Sequence, residues 1–182
     1  RGQKQFQHWA DILKQKKIKA IYSSDLQRTR KSAQIIGKEH GLEPAAYPEL
    51  RELSFGIWEG MSISAVESAY PGQMKERMKS VATFQADGGE TYSQLQARVI
   101  PKYEEIVARH PDDQIAMVCH GGVNRVILSH LLGIPLDRIF RIHQDYAALN
   151  IIQYYDKEPV VEYIGNAELF SSQKDEIKTA IQ

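Results

Sequence analysis

In "QKQFQHWADILKQK" the apolar positions Phe6, Trp9, Ala10 and Leu13 form one helical stripe, with lysine and glutamine on the other side. "IKAIYSS" is a short apolar run and reads as a buried strand ending near Ser23. "LQRTRKSAQIIGKEHG" returns to helical spacing, with Gly41 as its stop. "AAYPEL" is a weak strand. "RELSFGIWEGMS" has no period and reads as loop. Ser64 and Glu67 have capping-box spacing before "AVESAY", and the Pro71–Gly72 pair marks a turn. In "GGETYSQLQARVIPKYEEIVARH", Thr91 and Gln94 form a second capping box. Ala97, Val99, Ile100, Tyr103 and Ile106 supply the apolar face, and Pro101 predicts a kink or a break.

"QIAMVC" is the clearest buried strand, and "GVNRVILSHLLG" is a helix closed by Gly133. "ALNIIQYY" and "PVVEYIG" are two further strands around a polar turn at Asp156 to Glu158, and the polar tail after Phe170 reads as a frayed helix. Strands alternating with helices predict an α/β fold. The expected form is a three-layer α/β/α sandwich with a mostly parallel central sheet and an antiparallel edge. The 182 residues form a single domain large enough for a core, without repeats or linkers.

Charge changes the picture only by exclusion. Lys plus Arg and Asp plus Glu are equal at 23 each, so no excess positive charge favours nucleic acid or an anionic membrane. The single cysteine, Cys119, permits no internal disulfide and is compatible with a reducing, cytoplasmic location. No apolar run approaches the roughly 20 residues of a membrane-spanning helix, and no signal peptide is evident at the start.

Two segments share one layout: strand, polar turn, helix. They are "AIYSSDLQRTR" and "MVCHGGVNR". Ligand sites in open α/β sheets lie beyond the carboxyl ends of the strands, so parallel neighbours would aim both turns into one crevice. The helix N-termini there favour an anion. His120 follows its strand directly, and Gly121 and Gly122 let the backbone approach a ligand closely. Arg28 and Arg30 point in different directions on a helix. Arg28, nearer the strand end, is the better phosphate or carboxylate clamp, and Arg30 reads as a solvated charge. Glu52 stands between apolar residues in "LREL", where a carboxyl group could serve as a general acid, or simply as a surface loop glutamate. Glu59 reads as structural and Trp58 as core or pocket wall.

The remaining histidines have no metal-ligand spacing, and neither nucleotide-loop nor GxSxG motifs occur. A metal-free set of histidine, arginine and glutamate suits phosphoryl transfer. Cations stabilise the equatorial oxygens, and an acid protonates the leaving oxygen.

"IYSSDLQRTRKSA", "LRELSFGIWEGMS", "GGETYSQLQARV" and "VCHGGVNRVIL" together resemble the histidine phosphatase, or phosphoglycerate mutase-like, superfamily. They occur in family order over roughly residues 1 to 155. The combination of "LRELSFGIWEG" with "GGET" is most like the alpha-ribazole phosphatase and broad-specificity phosphatase branch, which acts in cobalamin biosynthesis. The resemblance implies a phosphomonoester hydrolase with a phosphohistidine intermediate and no cofactor. Its substrate is a phosphorylated small molecule, with alpha-ribazole 5′-phosphate as the branch-specific expectation.

The resemblance also implies roles. Arg28 becomes a phosphate-pocket arginine, Glu52 the general acid and later base, and His120 a phosphoryl-oxygen donor. Ser24, Arg51, Trp58, Glu90, Thr91 and Gly121 border the substrate. The family's nucleophile lies in an Arg-His-Gly motif at the end of a first, central strand. "RGQKQFQHW" instead resembles the helix after it, and His8 lies mid-helix. We therefore expect a native protein about 20–30 residues longer at its N-terminus. A mutase of the same superfamily is the nearest rival, although the interval between Glu52 and His120 is short for one. A non-catalytic binder of phosphorylated ligands is the rival from another class. A homodimer stays open.

Overall fold

The computed structural model describes residues 2–165. The expected tail helix after Phe170 lies outside them. Helix α1 (Gly2–Leu13) precedes strand β1 (Ile18–Ser23), and helix α2 (Gln27–His40) follows it. Gly41 ends α2 in a left-handed conformation, φ 66°, as the stop signal predicts. "AAYPEL" is strand for only two residues, β2 (Ala45–Ala46), before Pro48–Leu50 tighten into a 3₁₀ turn. Proline at the head of that turn has no N–H to extend a ladder.

Three short helical pieces follow: a 3₁₀ turn at Gly56–Trp58, helix α3 (Ile63–Ala69) and helix α4 (Gln73–Lys79). The expected Ser64–Glu67 capping box does not form. Ser62 caps α3 instead, accepting from Ala65 N at 3.1 Å, and Glu67 accepts from Gly72 N. Helix α4 has no buried residue, so its sequence carried no apolar stripe to announce it.

The long helix α5 (Tyr92–Ala108) has the expected reciprocal cap: Thr91 Oγ1 accepts from Gln94 N, and Gln94 Oε1 accepts from Thr91 N. It runs unbroken through Pro101, contrary to the expected interruption as a break. Pro101 and Ala97 are both exposed, so water can satisfy the carbonyl that loses its partner. Ala97 therefore leaves the apolar face, which is made by Leu95, Val99, Ile100, Tyr103 and Ile106.

Strand β3 (Gln114–Val118) leads into helix α6 (Gly121–Leu131), and Gly133 follows at φ 64°. Strands β4 (Asn150–Tyr155) and β5 (Glu158–Ile164) form an antiparallel hairpin, with Asp156 and Lys157 both at positive φ in its turn.

The sheet order is β2–β1–β3, all parallel, with β4–β5 as a separate pair. Alternation splits the core. Ile21 and Val118 face α1 and α2, packing with Ala10, Ala33 and Ile36. Tyr22 and Met117 face the other way, toward Leu50 and Ile106. Helices on both faces of a parallel sheet give the predicted three-layer α/β/α architecture. Strand β3 departs from its reading as the best-buried strand. Only Val118 is buried, because among the described residues β3 has β1 on one edge and no strand on the other.

Candidate active site

The parallel register sets Ser23 opposite Val118, so the chain leaves both strands at the same end of the sheet. The two turns meet there. Ser24 Oγ lies 2.7 Å from His120 Nε2 and 2.6 Å from Thr29 Oγ1, all buried. Arg28 Nε donates to His120 Nδ1 at 3.3 Å. An arginine can only donate, so Nδ1 is the bare nitrogen and Nε2 carries the proton. Ser24 Oγ therefore accepts from His120. Thr29 Oγ1 donates to Leu26 O at 2.9 Å, which leaves it as acceptor for the Ser24 hydroxyl. This relay fixes both the orientation and the tautomer of His120. Arg28 is otherwise exposed, its remaining N–H groups without a protein partner among the described residues, and Arg30 makes no contact with the cluster.

Burial first, then the charges of Arg28 and Arg98, push His120 down from 6.5 to about 4. A histidine held neutral when folded binds fewer protons than in the unfolded chain between those values. Its contribution to stability is complete above pH 6.5 and is lost as pH falls toward 4. The melting temperature is therefore expected to fall across this window, and less steeply in His120→Gln. Melts at closely spaced pH values check this, and identical slopes would refute it.

Glu52 reaches the cluster from the loop after the Pro48–Leu50 turn. Its Oε1 accepts from Leu53 N at 2.9 Å and its Oε2 from Gly122 N at 3.0 Å. The carboxylate thus sits on the first turn of α6, the helix that His120 caps. Gly122 is required by this approach. A Cβ there would stand 2.3 Å from Glu52 Oε1 and 3.2 Å from its carboxyl carbon. Gly122→Ala is expected to lower kcat about tenfold or more by moving the carboxylate. Stability should change by no more than about 1 kcal/mol, since alanine is favoured in helices by about that amount. Turnover combined with a thermal melt separates the two effects.

The other expected site residues take different places. Arg51 is held by Asp25 in a two-point ion pair at 2.6 and 2.5 Å, beside the Ser24 turn. Glu90 accepts from Arg98 Nε at 2.7 Å and Nη2 at 2.8 Å, and Thr91 Oγ1 is engaged as the α5 cap. Gly121 opens α6, where a Cβ would lie 3.2 Å from Arg125 Nη1. Trp58 is buried and stacks on Phe84 at 5.3 Å, in a separate cluster with Val66 and Ala86. Glu59 accepts from Phe55 N and closes its own loop.

Two participants escaped the sequence reading. Thr29 was hidden by its neighbour Arg28, and the "SSDLQRT" spacing to Ser24 was its only signal. Arg98 donates to the carbonyls of Glu49, Arg51 and Glu52 at 2.6, 2.8 and 3.1 Å while gripping Glu90. It ties the "LREL" loop to the "GGET" loop. Burial and nearby Glu52 push Cys119 up to about 12, so it stays a thiol. Among the described residues no group of three or more His, Cys, Asp or Glu side chains is arranged to hold a metal, and no helix is long and apolar enough to cross a membrane.

Comparison with known proteins points the same way. Residues 1–167 match the model of the histidine phosphatase superfamily, branch 1. Phosphoserine phosphatase 1 of Hydrogenobacter thermophilus is 28% identical over 161 residues, covering 88% of this chain and 76% of that protein. Glucosyl-3-phosphoglycerate phosphatase of Mycolicibacterium vanbaalenii is 29% identical, covering 75% of this chain and 63% of its own length. Among solved structures, a mycobacterial glucosyl-3-phosphoglycerate phosphatase superposes with a TM-score of 0.78 at 25% identity, covering 88% of this chain and 83% of the other. An alpha-ribazole phosphatase from Shigella flexneri reaches 0.79 at 19% identity, covering 90% and 81%, a likeness of fold. With the whole described sandwich inside that match, the chain belongs to the histidine phosphatase superfamily, branch 1, and its class of activity is that of a phosphatase.

Proposed function

We propose that the protein hydrolyses phosphate monoesters of small alcohols through a phosphohistidine intermediate. The carrying observation is the His120–Ser24–Arg28 cluster at two adjacent strand ends, with the Glu52 carboxylate on the same helix turn. The phosphoryl oxygens take the donors: His120 Nε2–H in place of Ser24, and the free N–H groups of Arg28. The attacking group is a histidine, as a phosphohistidine intermediate requires. Its nitrogen attacks phosphorus, the ester P–O bond breaks, and Glu52 gives its proton to the leaving oxygen. Glu52, now a carboxylate, takes a proton from water as that water attacks phosphorus. The P–N bond breaks, releasing inorganic phosphate and restoring the histidine.

The substrate reading has two branches. Alpha-ribazole 5′-phosphate is the expectation from the sequence, and structures with that activity in their names match at 19% and 21% identity, a level that concerns fold. The named relatives at 28% and 29% identity act on phosphoserine and glucosyl-3-phosphoglycerate by their names. That favours a phosphorylated hydroxy acid. Phosphate release from a panel holding all three compounds and simple alkyl phosphates tests the proposal. Release with an acid-labile, base-stable phosphoenzyme in quenched samples supports it. No release from any member overturns it.

A further inference from the structure

Beyond the phosphate cluster, two arginines converge on one ring. Arg77 on α4 places its guanidinium carbon 5.2 Å from the centre of Phe140, and Arg125 on α6 places its own 6.0 Å from the same centre. Phe55 lies 5.4 Å from Arg77 as well, so that guanidinium contacts two rings. Stacking engages the faces of a guanidinium and leaves its in-plane N–H groups for acceptors; Arg77 Nη1 lies 4.0 Å from Met74 Sδ, and the side chain also bonds the Tyr92 hydroxyl. Arg125 Nε is anchored on Ile142 O at 2.9 Å, which directs the rest of the fork, and Nη1 lies over Gly121. Both side chains are half-buried.

Among the described residues, neither arginine has a carboxylate within ion-pair distance. Two like charges gathered around one ring without a counter-ion repel each other, more so as solvent is excluded. Two other arginines of the site differ: Arg51 is held by Asp25, and Arg98 by Glu90.

The pair also lies on a defined side of the chemistry. Phe140 packs edge-on against Tyr92 at 5.7 Å, and the Tyr92 hydroxyl, raised first by burial, is lowered by Arg77, raised by Glu52 and lowered by Arg125. Arg28 approaches His120 at Nδ1, whereas Arg125 Nη1 reaches back over Gly121, next to the Gly122 amide that holds Glu52, and Phe140 carries Arg77 beside it. Glu52 is the group proposed to protonate the leaving oxygen. The alcohol must therefore extend past it, toward the arginine pair.

We propose that Arg77 and Arg125 form a second anion subsite, which binds an oxyanion on the alcohol part of the substrate. The preferred substrates are then phosphate monoesters whose alcohol also carries a carboxylate or a second phosphate. This rests on the phosphatase reading and narrows it. A planar carboxylate suits the fork of a guanidinium, and no lysine takes part that would read an anion only as a point charge.

3-Phosphoglycerate and glycerol 3-phosphate test this, because they differ only in a carboxylate against a hydroxymethyl group. Glycerol 1,3-bisphosphate asks whether a phosphate serves in its place. Calorimetric titration of the intact protein carrying Glu52→Gln keeps the ligands whole. The carboxylate ligand is expected to bind about tenfold or more tightly than glycerol 3-phosphate, the gain of a charge-assisted pair. Adding Arg77→Met or Arg125→Met should bring that ratio close to one. A bisphosphate as tight as 3-phosphoglycerate supports a general oxyanion site, and a weak one supports a carboxylate site. Equal affinities for 3-phosphoglycerate and glycerol 3-phosphate, with phosphomonoester turnover intact in the unmodified protein, overturn the subsite alone, and this comparison needs no arginine variant to fold. A ratio left unchanged by both arginine substitutions overturns it as well. Absence of both binding and turnover overturns the subsite together with the phosphatase mechanism.

Discussion

Glu52→Gln is expected to lower kcat for alkyl phosphates by about 10²–10⁴-fold, the range of a lost general acid–base. Glutamine is nearly the same shape, and its amide oxygen can still accept from one of the two backbone donors, Leu53 N or Gly122 N. What it cannot do is deliver a proton to the leaving oxygen or remove one from water. The dependence on leaving group gives the sharper reading. An alkoxide needs its proton in the transition state, whereas p-nitrophenolate is stable without one, so p-nitrophenyl phosphate should lose much less in the step that forms the phosphoenzyme. Steady-state rates on both esters, with rapid quench to isolate that step, check it. Equal losses on the two would reduce Glu52 to a positioning residue, and no loss would remove it from the chemistry.

Arg98→Met should carry the largest stability loss, about 3–5 kcal/mol, the cost of removing one partner from a mostly buried ion pair. The Glu90 carboxylate would lose both of its bonds, at 2.7 and 2.8 Å, and three loop carbonyls would lose their donor. For a chain of this size that corresponds to roughly 6–20 °C in melting temperature. The Glu52 backbone is one of the three carbonyl acceptors, so kcat should fall too. Restoring neutrality with Glu90→Gln in the same chain should recover part of the stability but leave the carbonyls unpaired. A melting temperature within about 2 °C of the parent would show that the two loops hold themselves.

How far each of these residues could be read from the chain depended on the range of its interactions. His120 was legible because strand, histidine and paired glycine are contiguous, and the resemblance supplied its supporting role. Arg28 could be preferred over Arg30 because helix geometry separates residues two apart. Arg98 looked like an ordinary helix charge, since its five acceptor contacts come from loops about 50 and 8 residues away in sequence. Arg77 and Arg125 were equally silent. They lie on different helices and meet only over Phe140.

The sequence by itself determined the alternation of strand and helix, the helix stops, the Thr91 cap and the pair of strand-end turns. All of these are set by periodicity, glycine conformation or a hydrogen bond between residues close in the chain. It also carried the four family segments, in order. Only the tertiary structure decided that Ser23 pairs with Val118, and with that register the Ser24–His120 contact, the seating of Glu52 on Gly122, and the Arg98 tie between two loops. Those contacts arise from close packing of segments far apart in the chain. The distances there come out to within a few tenths of an ångström only when the whole sandwich is assembled.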